Sequence, residues 1–215
     1  MKNKSHGLKQ KVAREAAVLL YFGSEKEYKQ AKLKAAENFG AHFLPSNRDV
    51  ALELNSIADE NEGTTRKQRL VQMRQEAHKI MTLIKACDPV LIGSVWRGTI
   101  RRGSDIDITL FHDQPDEIVN ILAKSKVKIM KTEWTSVTKQ GKTEASFHIL
   151  VETLMKNKVE LVVRNRDEFK RKRKCEIFGD EVTGLNLKEI AEVMIENPTV
   201  QFIPAWEKRL RFSIF

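Results

Sequence analysis

The strongest constraint on the fold of this chain is a change of hydrophobic period at Pro89. Before it, apolar residues recur three and four apart; after it, they alternate. Residues 8–22 form an amphipathic run ended by Gly23, and residues 25–39, rich in Ala, Lys and Glu, end at Gly40. Ser46 and Asp49 stand three apart ahead of Val50, Leu52, Leu54, Ile57 and Ala58, which predicts a capped third helix stopped by Gly63. Leu70, Met73, Ala77, Ile80, Met81 and Ile84 predict a fourth helix over residues 65–86. Beyond Pro89, Val90-Leu91-Ile92 reads as a short buried strand that ends in Gly93. Residues 105–111 alternate, with Ile106, Ile108 and Leu110 on one face and Asp105, Asp107 and Thr109 on the other. A helix with proline in its first turn is expected over residues 115–124, and strands near 127–132, 146–152 and 158–163. The last two strands are joined by a turn around Met155-Lys156-Asn157; a short strand is expected at 175–178. A final helix begins at Asn186, with Glu189 in the capping position, and stops before Pro198. The organisation expected is α/β (α+β): a helical domain over residues 1–88 and a mixed-sheet unit over residues 89–215.

Composition narrows the class. Of the 215 residues 41% are hydrophobic and 31% charged, enough apolar matter for a real core and too much sequence variety for a collagen-like or low-complexity chain. No apolar run approaches the roughly 18 residues of a membrane span, and the basic residues near Met1 adjoin no secretory cleavage pattern, so no membrane association and a cytoplasmic location are expected. Cys87 and Cys175 are too few and too far apart for a disulfide framework or a zinc set. The net charge is +9, spread over both halves of the chain, which favours polyanionic partners such as nucleic acid or nucleotide phosphates.

One segment carries chemistry: Leu91-Ile92-Gly93-Ser94-Val95-Trp96-Arg97-Gly98-Thr99-Ile100-Arg101-Arg102-Gly103-Ser104-Asp105-Ile106-Asp107-Ile108. A strand that ends in Gly-Ser and turns into a helix exposes backbone N–H groups, which suit phosphate oxygens. Gly93 lets the backbone approach a ligand closely, and the Ser94 hydroxyl can donate to phosphate. Arg97, Arg101 and Arg102 add cationic forks with no acid among them. Asp105 and Asp107, two apart on a strand, point to one face at about 6.5–7 Å along the backbone and can converge on a hard cation such as Mg²⁺.

The apolar residue, Gly-Ser, the spacer and the Asp-x-Asp strand resemble the signature of the DNA polymerase β-like nucleotidyltransferases, over residues 91–110 in particular. The resemblance implies a mixed-sheet nucleotidyltransferase palm preceded by an N-terminal helical domain. It implies transfer of a nucleoside monophosphate from a nucleoside triphosphate, ATP among the candidates, to an acceptor hydroxyl on RNA, protein or a small molecule, with release of pyrophosphate. Mg²⁺ (or Mn²⁺), two ions per site, would be held by Asp105, Asp107 and a third carboxylate. For that role Glu160, flanked by core-facing Val159 and Leu161, fits the family pattern better than Glu152, although the family more often has Asp there. Gly93, Ser94, Arg97 and Ser104 would hold the β- and γ-phosphates. The alternative is a weakly active or inactive module of the same fold that binds nucleic acid or a protein partner.

Three further features stand outside that segment. Lys170-Arg171-Lys172-Arg173-Lys174 is the densest basic run and a candidate nucleic-acid contact. His148 is expected to share the polar face of its strand with Ser146 and Glu152. Trp96, Trp134 and Trp206 are expected to pack rather than to stack on bases.

Overall fold

The structure, a computed structural model, describes residues 2–139 and 142–205. Trp206 therefore lies outside the described residues. The chain opens with helices α1 (Lys2–Tyr21), α2 (Tyr28–Asn38) and α3 (Asn47–Leu83). Small residues let the first three pack closely: Ala13, Ala16 and Ala17 of α1 and Ala31 and Ala35 of α2 are buried with Val12, Leu20, Val50 and Ile57. The capping box expected at the start of α3 is present. The Ser46 hydroxyl accepts from the Asp49 N–H, and the Asp49 carboxylate accepts from the Ser46 N–H. The stop expected at Gly63 appears as a kink inside one long helix, where Gly63 takes φ +50° and ψ −130°. The third and fourth expected helices are the two limbs of α3.

The mixed-sheet unit follows as β1 (Val90–Ile92), α4 (Gly93–Arg97), β2 (Ile106–Phe111), α5 (Pro115–Lys124), β3 (Lys128–Lys139), β4 (Lys142–Glu152), β5 (Lys158–Arg164) and α6 (Leu187–Glu196). The strands form one sheet in the order β1-β2-β5-β4-β3. Only the β2–β5 pair is parallel; the other pairs are antiparallel. One sheet face is apolar: Ile106, Ile108 and Leu110 of β2, Val159, Leu161 and Val163 of β5, and Phe147, Ile149 and Val151 of β4 are buried. They pack with Ile118 and Leu122 of α5, Ile190 of α6, and the C-terminal limb of α3 through Leu70, Met73, Ala77 and Met81. The expected boundary at residue 88 follows the change of secondary structure, whereas the two apolar clusters part near Gly63.

Two expectations about elements need correction. The β3–β4 hairpin is longer than read, with β3 reaching Lys139 and β4 starting at Lys142. Residues 175–178 are a turn and not a strand: the Gly179 N–H donates to the Cys175 carbonyl, and the neighbouring Lys174 and Glu181 form an isolated bridge. Trp96 is buried as expected, but Trp134 is 64% exposed, with one edge against Phe147. No described helix is long and apolar enough to cross a membrane.

Buried arginines fasten the loops around the sheet. Arg74, fully buried, donates to the carbonyls of Val95 (3.1 Å), Trp96 (2.8 Å), Pro198 (2.8 Å) and Val200 (3.0 Å). Arg66 donates to the Ile100 carbonyl at 2.6 Å and pairs with Asp59 at 2.5 Å. These bonds supply donors to loop carbonyls, that of Val95 in addition to the Gly98 N–H.

Candidate functional site

The site begins where β1 runs into α4. Gly93 has φ +70°, a conformation that favours glycine, and a Cβ built on it would lie 2.0 Å from Asp107 Oδ2. The Asp107 carboxylate therefore rests directly against the Gly93 backbone. Strand pairing produces this contact: Ile92 lies opposite Asp107 in the β1–β2 register. Asp107 is in turn level with Glu160 across the parallel β2–β5 pair. Neighbouring strands run about 4.8 Å apart, so Asp107 and Glu160 stand side by side, with Asp105 two residues back on the same face.

Electrostatics follow from that row of acids. Burial pushes the Asp107 carboxyl up to about 7, with Glu160 and then Asp105 adding repulsion. Asp105 is raised as well, first by burial, with Lys158 offsetting and Glu160 adding. A half-buried Asp107 repelled by Glu160 and by the exposed Asp105 is a donor set suited to a hard divalent cation. Among the described residues, no three acids, thiols or imidazoles already converge as a closed metal cage. A Mg²⁺ ion takes only one or two carboxylates, with phosphates and waters completing its shell, so the residues present fit it.

Glu160 has a partner that sequence reading did not supply. Its Oε1 lies 2.7 Å from His148 Nδ1, and His148 Nε2 lies 2.9 Å from Ser146 Oγ. His148 shares the polar face as expected, but its contact is the carboxylate beside Asp107. The rival acid Glu152 is occupied elsewhere, by Lys128 at 2.9 Å and Lys156 at 3.1 Å.

The candidate phosphate ligands divide. Gly93, Ser94, Arg97, Arg101 and Ser104 line a cavity of about 480 Å³, to which Lys26 and Tyr28 from the helical region also contribute. The Ser104 hydroxyl accepts from the Arg101 N–H at 2.9 Å and shapes that loop. Arg97, expected to grip phosphate, also lines this cavity, but its charge is already engaged. Its guanidinium is buried, donates to the Phe202 carbonyl (2.9 Å) and Asp180 (2.7 Å), and lies over the rings of Trp96 and Phe178. With its fork already used by Phe202 and Asp180, it anchors the 198–204 segment to α4 and is not a free cation.

The basic run is also less free than its composition suggests. Arg171 pairs with Glu144 (2.5 Å), Lys172 with Glu181 (3.0 Å) and Arg173 with Glu168 (2.5 Å). Lys170 and Lys174 have no carboxylate partner among the described residues. Both cysteines are unpaired thiols, Cys87 buried and Cys175 half-buried.

Residues 88–183, which hold the Gly-Ser turn and the acid row, match the nucleotidyltransferase domain family, in line with the resemblance carried by residues 91–110. No curated protein matches the chain. Among solved structures it is similar to a cytoplasmic RNA terminal U-transferase, with 14% identity and a TM-score of 0.29, covering 56% of this chain and 35% of that one. It is also similar to a chain of the GLD-2/RNP-8 complex (14%, TM-score 0.32, 55% and 38%) and to the Cid1 poly(U) polymerase (13%, TM-score 0.30, 56% and 39%). The chain thus spans about two fifths or less of these proteins' lengths, and likenesses of this size carry no weight for substrate or partner.

Proposed function

We propose that this protein moves a nucleoside monophosphate from a nucleoside triphosphate to an acceptor hydroxyl. The observation that supports the reading is the seating of Asp107 against Gly93, a residue that lines a cavity together with Ser94, Arg101 and Ser104. The triphosphate lies toward Gly93 and Ser94, with Arg101 supplying positive charge. The acceptor oxygen attacks the α-phosphorus; the O–Pα bond forms, the bond from Pα to the bridging oxygen breaks, and pyrophosphate leaves. Glu160 accepts the proton of the acceptor hydroxyl, and His148 holds that carboxylate in place. Mg²⁺ or Mn²⁺, two ions per site on Asp105, Asp107 and Glu160, would supply charge neutralisation and alignment of the attacking and leaving oxygens. The protein's own contribution is positioning and preorganised charge. The unpaired thiols agree with action in the cytoplasm.

A second reading, a module of this fold that binds without turnover, is favoured by one feature: the Glu160 carboxylate is already engaged by His148. The two readings separate on incubation with ATP, CTP, GTP and UTP, each labelled at the α- or γ-phosphate, together with total RNA and total protein. Retention of α-label, and not γ-label, in one macromolecular fraction is the outcome for a transferase. Saturable nucleotide binding with no α-label transferred from any of the four would establish the binding module instead.

A further inference from the structure

A second cavity opens on the same sheet face as the carboxylates. Its volume is about 750 Å³, and its floor includes Thr109 and Phe111 of β2 and Val162 and Arg164 of β5. In the β2–β5 register Thr109 pairs with Val162 and Phe111 with Arg164, the next two same-face rows beyond Asp107 and Glu160. The cavity therefore continues along the strands from the acid row. It adjoins the smaller cavity lined by Ser94 and Arg101, with which it shares Ile92, Lys174 and Val182.

Its chemistry is mixed in a particular way. Phe169, 51% exposed, stands edge-on to Phe111 with ring centroids 5.1 Å apart, which presents an aromatic surface at the rim. Deeper in, three arginines face two glutamates. Arg173 is within 3.9 Å of both Glu144 and Glu168, Arg171 bonds Glu144, and Arg164 lies 3.9 Å from Glu168. The cluster keeps a surplus positive charge. Arg164 Nε is buried with no hydrogen-bond partner, the one such side-chain atom among the described residues. Burial, then repulsion from Arg173, disfavours its charged form, and a bound anion would relieve both. Lys174 adds a cation on the same lining, where six basic residues meet three acidic ones. Four residues separate Glu160 from Arg164, about 13 Å along the strand. That is a distance one to two nucleotide units can span.

We infer that this cavity takes the 3′-terminal nucleotides of a single-stranded nucleic acid, a terminal base lying on Phe169 and a backbone phosphate meeting the Arg164–Arg173 cluster and Lys174. The inference rests on the proposed transferase reading for the role of acceptor, since the strand's 3′ hydroxyl then falls beside Glu160. Aromatic stacking beside a cationic track is the combination by which proteins hold single strands without reading a duplex. The exposed Lys170 extends the same charge beyond the cavity.

The test is fluorescence anisotropy of a 5′-labelled ten-nucleotide RNA with the full chain in EDTA, without any nucleoside triphosphate. Binding is thus read independently of transfer. Phe169→Ala should weaken binding at least about fivefold, as loss of one base-stacking contact does. Lys174→Gln should lower the slope of log affinity against log salt by about one, and Lys79→Gln, an exposed charge on α3, should leave it unchanged. Phe169 and Lys174 are exposed, so neither change threatens the fold. The inference is overturned if Phe169→Ala binds like the wild type. It is also overturned if Lys79→Gln loses as much as Lys174→Gln, or if a 5′-mononucleotide competes as well as the unlabelled strand. A wild type that binds strands but transfers nothing leaves this site standing and rejects the transferase reading; transfer without strand binding does the reverse.

Discussion

At the scale of single residues, the contact between Gly93 and Asp107 makes the sharpest demands. Gly93→Ala would place a methyl 2.0 Å from Asp107 Oδ2 at a backbone angle that L-residues avoid. The variant should lose about 1–3 kcal/mol of stability, and with it most of the thermal stabilisation given by Mg²⁺ and nucleoside triphosphate. Melting curves with and without Mg²⁺ and triphosphate check both parts; a full Mg²⁺-dependent shift in Gly93→Ala would mean the acid row does not need that seat. Asp107 predicts a pH dependence. Its carboxyl titrates from 3.8 when unfolded and from about 7 in the folded protein, so the folded state holds the proton more tightly across that window. Without divalent metal, stability should fall as pH rises from about 4 to about 7 and then level. Asp107→Asn removes this penalty and should exceed the wild type above pH 7, on the order of 1–2 kcal/mol once solvent screening is allowed for. Urea titrations in EDTA at several pH values measure the difference. A gap between the two proteins that stays constant with pH would show that Asp107 is not the group responsible.

At the scale of elements, much was legible where local chemistry decides. Ser46 with Asp49 and Asn186 with Glu189 form the capping boxes their spacing announces, because a cap is closed by residues three apart and needs nothing from the rest of the fold. The alternation of Ile106, Ile108 and Leu110 set the face on which Asp105 and Asp107 lie, and the apolar neighbours of Glu160 did the same on β5. What escaped the sequence depends on partners far along the chain. His148 meets Glu160 only through the β4–β5 register, and Arg97 meets Asp180 and Phe202 across more than eighty residues. Residues 175–178 look like a strand from Cys175, Ile177 and Phe178, yet Phe178 is used as a cover over Arg97. Arg74 did leave a trace: it sits with Leu70, Met73 and Ala77 on the apolar face of α3, a position a solvated arginine would not take. Burial lowers its titration to about 10, so it remains charged at neutral pH. Arg74→Met keeps the volume but leaves the Trp96, Pro198 and Val200 carbonyls without their Arg74 donors and the Val95 carbonyl with the Gly98 N–H alone. It should cost about 3 kcal/mol or more, read as a lower urea midpoint at an unchanged slope. A midpoint within error of the wild type would deny Arg74 its role in fastening α3 to α4.

At the scale of the whole molecule, the two limbs of α3 join a small-residue helical cluster to the sheet, and the site lies where the two meet. The helical region contributes Lys26 and Tyr28 to the cavity behind Gly93 and Ser94, which gives residues outside the family match a place in nucleotide binding on the proposed reading. A net charge of +9 suits both a triphosphate and a polyanionic acceptor, although the ion pairs of Arg171, Lys172 and Arg173 show that a basic run overstates the charge available to a ligand. The central claim is that Asp105, Asp107 and Glu160 act together in nucleotidyl transfer, with Glu152 a surface ion-pair residue. It is tested most directly by the initial rate of α-phosphate label transfer for Glu160→Gln and Glu152→Gln, measured side by side with wild type. The account predicts that Glu160→Gln falls by at least about 10²-fold, with triphosphate affinity nearly kept, while Glu152→Gln stays within a fewfold of wild type. A Glu160→Gln variant that transfers at the wild-type rate, or a Glu152→Gln variant that is the inactive one, would contradict it.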